Sequence, residues 1–223
     1  FLMVYLFPKI MPIFLSIHMD LPLSTRIVMF ASKSIQAYGL IGILFLIVFA
    51  ICFSIILKQS KKVHYYFDVL LLKIPVAGKI VKYYNLANFT RTMGLLLKSG
   101  VTVSEGVPIA EKTTINLVYK RELRNLSIII DRGEKISTYL VTKRKLFPEV
   151  IPQIISVGER SGNLSNSLIY LSDLYETEVD DLTKNLSNLI EPVLMIFMGI
   201  IVGFIAISII TPIYGITNHL QPR

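Results

Sequence analysis

The stretch VGERSGNL, Val157 to Leu164, decides how this chain folds. It sets two glycines, an acid beside a base, and polar helix-capping residues between two apolar segments of helical period. Such a stretch can be a phosphate cradle, a catalytic loop or a helix hairpin. Upstream, FPEVIPQIIS carries prolines at 148 and 152, and proline favours a first helical turn. A helix is therefore expected to begin within 148–152 and to run to about Glu159. Downstream, Leu164, Leu168, Leu171, Tyr175, Val179, Leu182, Leu186 and Leu189 recur at three- and four-residue steps, one apolar face of a long helix. Between them, Gly162 suits a left-handed turn, while Ser161 or Asn163 can accept from the next helix's free amides. A phosphate cradle needs more glycine and a P-loop lysine. The hairpin reading wins, with Gly158, Ser161, Gly162 and Asn163 as its turn. Glu159 and Arg160, at the helix end, are expected to form a partner contact on the surface. The competing role for that pair is a local ion pair worth about 0–1 kcal/mol.

Upstream of this stretch the signals stay helical. Pro75 interrupts an apolar stretch and opens another, which keeps helical period until Gly100, suited to the left-handed position after a helix end. Thr102 or Ser104 can cap the next helix, which reaches about Lys112. Asn116 opens another that stops at Gly133, and a short helix is expected around Ser137–Lys143. No segment alternates with the period of a strand. Residues 59–189 therefore form an all-α antiparallel bundle large enough for its own core.

The flanks are different. The chain is 53% hydrophobic and 17% charged over 223 residues, too apolar for an ordinary soluble domain. No Asp, Glu, Lys or Arg occurs from Ser34 to Leu57 or from Pro192 to Pro222. Each run exceeds the roughly 20 residues that cross a bilayer core as a helix. Membrane helices are expected at about 38–57, after a lead-in helix from 21, and at 190–212, with an outer tail at 213–223. The opening FLMVYLF is too short to span and reads as the end of a truncated membrane helix, with residues 1–20 completing an outer segment.

Charge excludes some functions. The net charge is +8, but 16 Lys/Arg and 13 Asp/Glu are interspersed over 64–185, which is a solvated helical surface and no nucleic-acid stripe. Lys58, Lys61 and Lys62 follow the first span, as on a cytoplasmic face in contact with anionic lipid. Arg26 and Lys33 at its other end make that bias modest. Cys52 is the lone cysteine, and His18, His64 and His219 lie far apart, so no thiolate or HExxH metal site is expected. No P-loop occurs, so any ATP is hydrolysed by another protein.

Three features carry weaker signals. Gly199 and Gly203 form GxxxG, which lets membrane helices approach closely. Glu191-Pro192 stands where the long helix approaches the membrane; Pro192 predicts a kink or a fresh helix start, and Glu191 an interfacial carboxylate favoured by the helix dipole. Asp173, Glu176 and Asp180 share a helical face with Glu178 and Asp181 beside them. Without a turn to fold them round a cation they read as a solvated acidic face, able to dock a basic partner.

The order of these motifs resembles the F-type inner-membrane platform proteins of type II secretion systems and type IV pili, the PilC-like family. The matching stretches are LPLSTRIV (21–28), FTRTMGLLLKSGVTVSEGV (89–107), RGEKIS (132–137), FPEVIPQIISVGERSGNL (147–164), YETEV (175–179) and LIEPVLMIFMGIIVG (189–203). The resemblance implies two similar halves, each a cytoplasmic helical domain followed by a membrane helix, of which this chain matches the second. LFPKI near Pro8 and ITPIY near Pro212 are a trace of that duplication. Thr102 departs from the pattern, which often has proline there, and its loss should soften the turn. The resemblance further implies a bacterial inner-membrane, multi-pass, non-enzymatic protein without cofactors. Its implied partners are a cytoplasmic hexameric ATPase, pilins or pseudopilins, other inner-membrane assembly proteins, lipid and further copies of itself, with no direct nucleic acid. A transport permease or a membrane-embedded enzyme are the alternatives. Only Glu191 and Pro192 hint at the first, and Ser54 and Ser208 have no His or Asp beside them in sequence for the second.

Overall fold

The computed structural model describes residues 23–219, without the side chains of Lys58, Ile209 and 212–219. The expected outer segment at 1–20, including FLMVYLF, LFPKI and His18, lies outside the described residues. Eight helices follow in order among those described: α1 Leu23–Gln59, α2 Lys61–Lys73, α3 Ala77–Lys98, α4 Val103–Thr113, α5 Leu117–Asp131, α6 Ile136–Val141, α7 Val150–Ser161 and α8 Leu164–His219. There is no strand among them. The fold is all-α.

Local chemistry sets the boundaries. Ser60 caps α2, and Asn116 caps α5 by accepting from the amides of Val118 and Tyr119. Thr102 opens α4 with a reciprocal capping box: its hydroxyl accepts from Glu105 N at 3.4 Å, and the Glu105 carboxylate accepts from Thr102 N at 3.2 Å. Those bonds hold the turn at the position expected to be softened. Beyond the end of α3, Gly100 takes φ +86°, and there Val101 N donates to Leu96 O at 3.0 Å and Gly100 N to Leu97 O at 3.1 Å, a complete Schellman closure.

The chain divides into two compact units. One is Ile56–Ser187; the other joins the described residues up to Ile55 with those from Asn188 on. In the first, the core is built from every helix from α3 to α8. Phe147, in the loop before α7, meets Tyr119 edge-on at 5.7 Å and Phe89 at 6.4 Å, and all three are buried. Leu86, Met93, Leu123, Leu126, Ile151 and Ile155 complete the centre. Each such side chain contributes roughly 1.5–3 kcal/mol by leaving water. The buried Tyr119 hydroxyl donates to Leu146 O at 2.9 Å, so the loop is held at both its aromatic and its polar end.

The apolar stripe of α8 divides at Tyr175. Leu168, Leu171 and Tyr175 are buried in this core, whereas Val179, Leu182 and Leu186 are only half-buried and Leu189 is exposed. Helices α1 and α8 are long and apolar enough to cross a membrane, over Leu23–Leu57 and Leu164–Ser208. Helix α8 continues to His219, so the tail expected from 213 is helical that far. The helix does not restart at Pro192; it passes through that residue.

Candidate functional site

The hairpin at 158–163 is the centre of the candidate site. Gly162 takes φ +70°, ψ 11°, the left-handed conformation that costs glycine least. Its amide and that of Asn163 both reach the carbonyl of Gly158, the latter at 2.9 Å. Ser161 Oγ donates to the same carbonyl at 3.4 Å. Three donors thus close the end of α7 on one acceptor.

Gly158 itself lies inside α7, before the turn, and is buried. A Cβ at this position would stand 2.6 Å from Ser167 Oγ and 3.0 Å from Leu164 Cα. Its role is close approach between α7 and α8. Gly94, in α3, makes the matching approach on another side: a Cβ there would meet Ile169 Cγ1 at 2.8 Å and Ser165 O at 3.2 Å. Ser165 Oγ also donates to Gly94 O at 2.9 Å. The first turns of α8 therefore rest on two glycine seats. Gly94 stands in FTRTMGLLLKSG, where its neighbours read simply as an apolar helix face.

Glu159 and Arg160 separate. Glu159 Oε1 accepts from the backbone amides of Ile136 at 2.7 Å and Ser137 at 3.4 Å, and Oε2 accepts from Ser137 Oγ at 2.5 Å. These amides open α6, whose own N-cap, Lys135, makes no side-chain bond. Glu159 is thus the cap of α6, delivered from α7, and both its oxygens are occupied within the domain. It is bound to backbone and not to Arg160, so the local ion pair is not formed. Arg160 is exposed and lies along a shallow groove with Ser137, Val141, Pro152 and Val157. Arg160 is an exposed side chain, while Glu159 is internal architecture.

Asp68 is a second such carboxylate, missed in the sequence. It is buried, accepts from Leu117 N at 2.7 Å, and has His64 Nε2 at 3.7 Å. With Asn116 it satisfies three of the four free amides at the start of α5. Two carboxylates far apart in sequence thus cap helices through tertiary contact.

Charge is distributed unevenly over the rest of the bundle. Arg91 pairs with Asp173 at 3.1 Å and also with Glu176, tying α3 to α8 across part of the acidic face. Among the described residues no cluster of three His, Cys, Asp or Glu is arranged to hold a metal ion. Glu122 accepts from Tyr139 Oη at 2.6 Å and pairs with Lys143 at 3.0 Å. Burial pushes its carboxyl up, but the Tyr139 hydroxyl and Lys143 ammonium outweigh burial and hold it below the ordinary value. The same burial and the carboxylate beside it push the Tyr139 phenol up.

In the membrane unit, Glu191 and Pro192 are exposed on α8. Gly199 and Gly203 face open space: no described atom lies within 4 Å of a Cβ built on either. Elsewhere in this unit Thr25, Val28 and Ser32 of α1 and Ile205 and Ser208 of α8 are buried. Thr25 Oγ1 donates to Ser208 O at 2.8 Å. The ordinary helical donor to that carbonyl is the amide four residues on, and residue 212 is proline, which has no N–H. Thr25 supplies the bond that Pro212 cannot.

The family described as Type II secretion system (T2SS), protein F matches residues 89–212, from within α3 into the last turns of α8. A type IV pilus assembly protein PilC of Thermus thermophilus is 31% identical over 223 residues, covering 99% of this chain and 54% of that protein. The PilC protein of Pseudomonas aeruginosa is 28% identical, covering 97% of this chain and 58% of its own length. Type II secretion system protein F from the same organism is 27% identical, covering 98% and 53%. The chain spans about half the length of the curated relatives it matches. The family match covers more than half of the chain, taking in both the glycine-seated hairpin and the apolar helix after it, and the chain belongs to the type II secretion system protein F family.

Proposed function

We propose that this chain is the second half of an inner-membrane platform in a type II secretion or type IV pilus machine. In this reading it couples a cytoplasmic ATPase to the assembly of pilins or pseudopilins, hydrolyses nothing itself, and places its bundle in the cytoplasm. The observation that carries the reading is the extent of the family match, which joins bundle and apolar helix in one unit of likeness. Its relatives are named for pilus assembly and for type II secretion alike, so the shared feature is the machine and not one cargo. The chemistry fits. Capping carboxylates, glycine seats and a hydroxyl on a proline-freed carbonyl make a rigid support, and force transmission requires packed elements that do not yield.

The test is deletion of the gene in its own host, scored by surface fibre or secreted protein, with pilin level as control. Fibre loss with pilin accumulating in the membrane, restored by the gene, is the expected result. Normal fibres after deletion would remove the reading, and ATP-independent solute flux through vesicles holding the protein would favour a permease.

A further inference from the structure

Two surfaces of the bundle unit are complementary to one another. The first is the loop after α6, Thr142–Lys145, where Lys143, Arg144 and Lys145 are consecutive. Lys82 adds a fourth cation by donating to Lys145 O at 2.9 Å. Against these stand Glu122 and Glu149, which pair with Lys143 and Arg144. Lys145 is exposed and surplus to both pairs. The second surface is a groove of about 420 Å³ between α3 and α8, walled by Tyr84, Asn88, Arg91, Glu176, Val179 and Asp180. Its wall sets Glu176 and Asp180 against the single cation Arg91, which also pairs with Asp173, and Glu178 and Asp181 are neighbours in the sequence of α8. The groove begins where the stripe of α8 leaves the core, so half-buried Val179 is part of its wall.

We propose that the basic loop of one copy docks into the acidic α3/α8 groove of a second copy of this chain. A lysine suits that groove. Its ammonium meets Glu176 and Asp180 while its alkyl stem lies along Val179 and the Tyr84 ring. The two surfaces are distinct patches, so the contact either forms twice about a two-fold axis or runs head to tail into a ring. The inference deepens the platform reading by naming the surfaces through which copies meet. The copy–copy contact is read by crosslinking and the platform by fibre assembly, so either can fail without the other.

The experiment uses the full chain in membranes, in a Cys52→Ser background. One tagged copy carries Thr142→Cys beside the loop, and a differently tagged copy carries Thr183→Cys beside the groove; both positions are exposed. A short bismaleimide should join the two tags. Arg144→Glu with Lys145→Glu in the loop copy should cut the yield about fivefold or more, because like charges would face each other. Asp180→Lys with Asp181→Lys in the groove copy should do the same. Reversed loop against reversed groove should restore it. Raising salt well above physiological strength should weaken the unreversed contact, since the screening length falls from about 8 Å at 0.15 M to about 3 Å at 1 M. An unchanged yield after one-sided reversal, or no restoration by the swapped pair, overturns the proposal. So does loss of fibre assembly on loop reversal with crosslinking intact, because the loop then serves a different acidic partner.

Discussion

A carboxylate at a helix end can face outward to a partner or backward to the chain, and Glu159 shows that sequence position does not distinguish them. Its neighbour Arg160 is exposed, whereas Glu159 turns across to the amides of Ile136 and Ser137. Hydrogen bonds to a charged group contribute roughly 1.5–3 kcal/mol, and α6 has no capping side chain of its own. Glu159→Ala should therefore lower the stability of the bundle by about 1–3 kcal/mol. Arg160→Ala should change stability by less than about 0.5 kcal/mol, as surface substitutions generally do. Thermal unfolding of the two variants decides it; equal stabilities would mean that the cap contributes nothing. The turn beside them was legible, because Gly162 at the end of a periodic segment signals left-handed backbone by chemistry alone. The caps were not. Asp68 and Glu159 reach amides 49 and 23 residues away in sequence, and no local pattern encodes such a reach.

At the scale of elements, several helices were readable because they begin or end on a residue with a local mechanism, such as Asn116 or Gly100. What joins them was less so. GxxxG in α8 is a recognised packing signal, yet Gly199 and Gly203 touch nothing described within this chain, while Gly94 and Gly158 carry no motif and seat α8. A motif reports that a helix can be approached, not which glycine is approached. Gly94→Leu should drive α3 from α8 and destabilise the bundle by about 1–3 kcal/mol or more, the usual cost of overpacking. Gly199→Leu should leave the unfolding of the isolated chain unchanged. Any loss from it should appear only as weaker association between copies in the membrane. If both variants unfold like the parent, α8 is not held by its glycine seat.

The membrane pair allows a sharper test at the same scale. Thr25→Val keeps the shape of the side chain but strands the buried Ser208 carbonyl, which Pro212 cannot serve. Interhelical hydrogen bonds in membranes contribute about 0.6–2 kcal/mol, and Thr25→Val should lower stability in micelles by that amount. Ser208→Ala is the control, since its hydroxyl merely bonds back to Phe204 O at 2.8 Å and its carbonyl is retained. Equal effects from both would show that the hydroxyl of Thr25 does not reach across.

For the whole molecule the governing question is sidedness. A bundle flanked by two spans must lie on one face of the bilayer, with the residues beyond the spans on the other, if both apolar helices cross. Charge favours the cytoplasm for the bundle only slightly. Lys58, Lys61, Lys62 and Lys184 lie near the bundle ends of the spans, against Arg26, Lys33 and Arg223 near the opposite ends. Each juxtamembrane cation near an anionic leaflet contributes about 1 kcal/mol, so a difference of one residue does not fix orientation. The proposed ATPase contact requires the cytoplasmic side, and labelling can decide. Lys112→Cys is exposed at the end of α4, and Asn218→Cys stands beyond the second span; both go into Cys52→Ser. In cells with a permeabilised outer membrane, an impermeant maleimide should reach 218 and miss 112. After lysis it should reach 112 as well. Labelling of 112 with protection of 218 reverses the orientation and removes the ATPase from the bundle's reach. Labelling of both before lysis is a different failure, because the apolar part of α8 would then not cross the membrane.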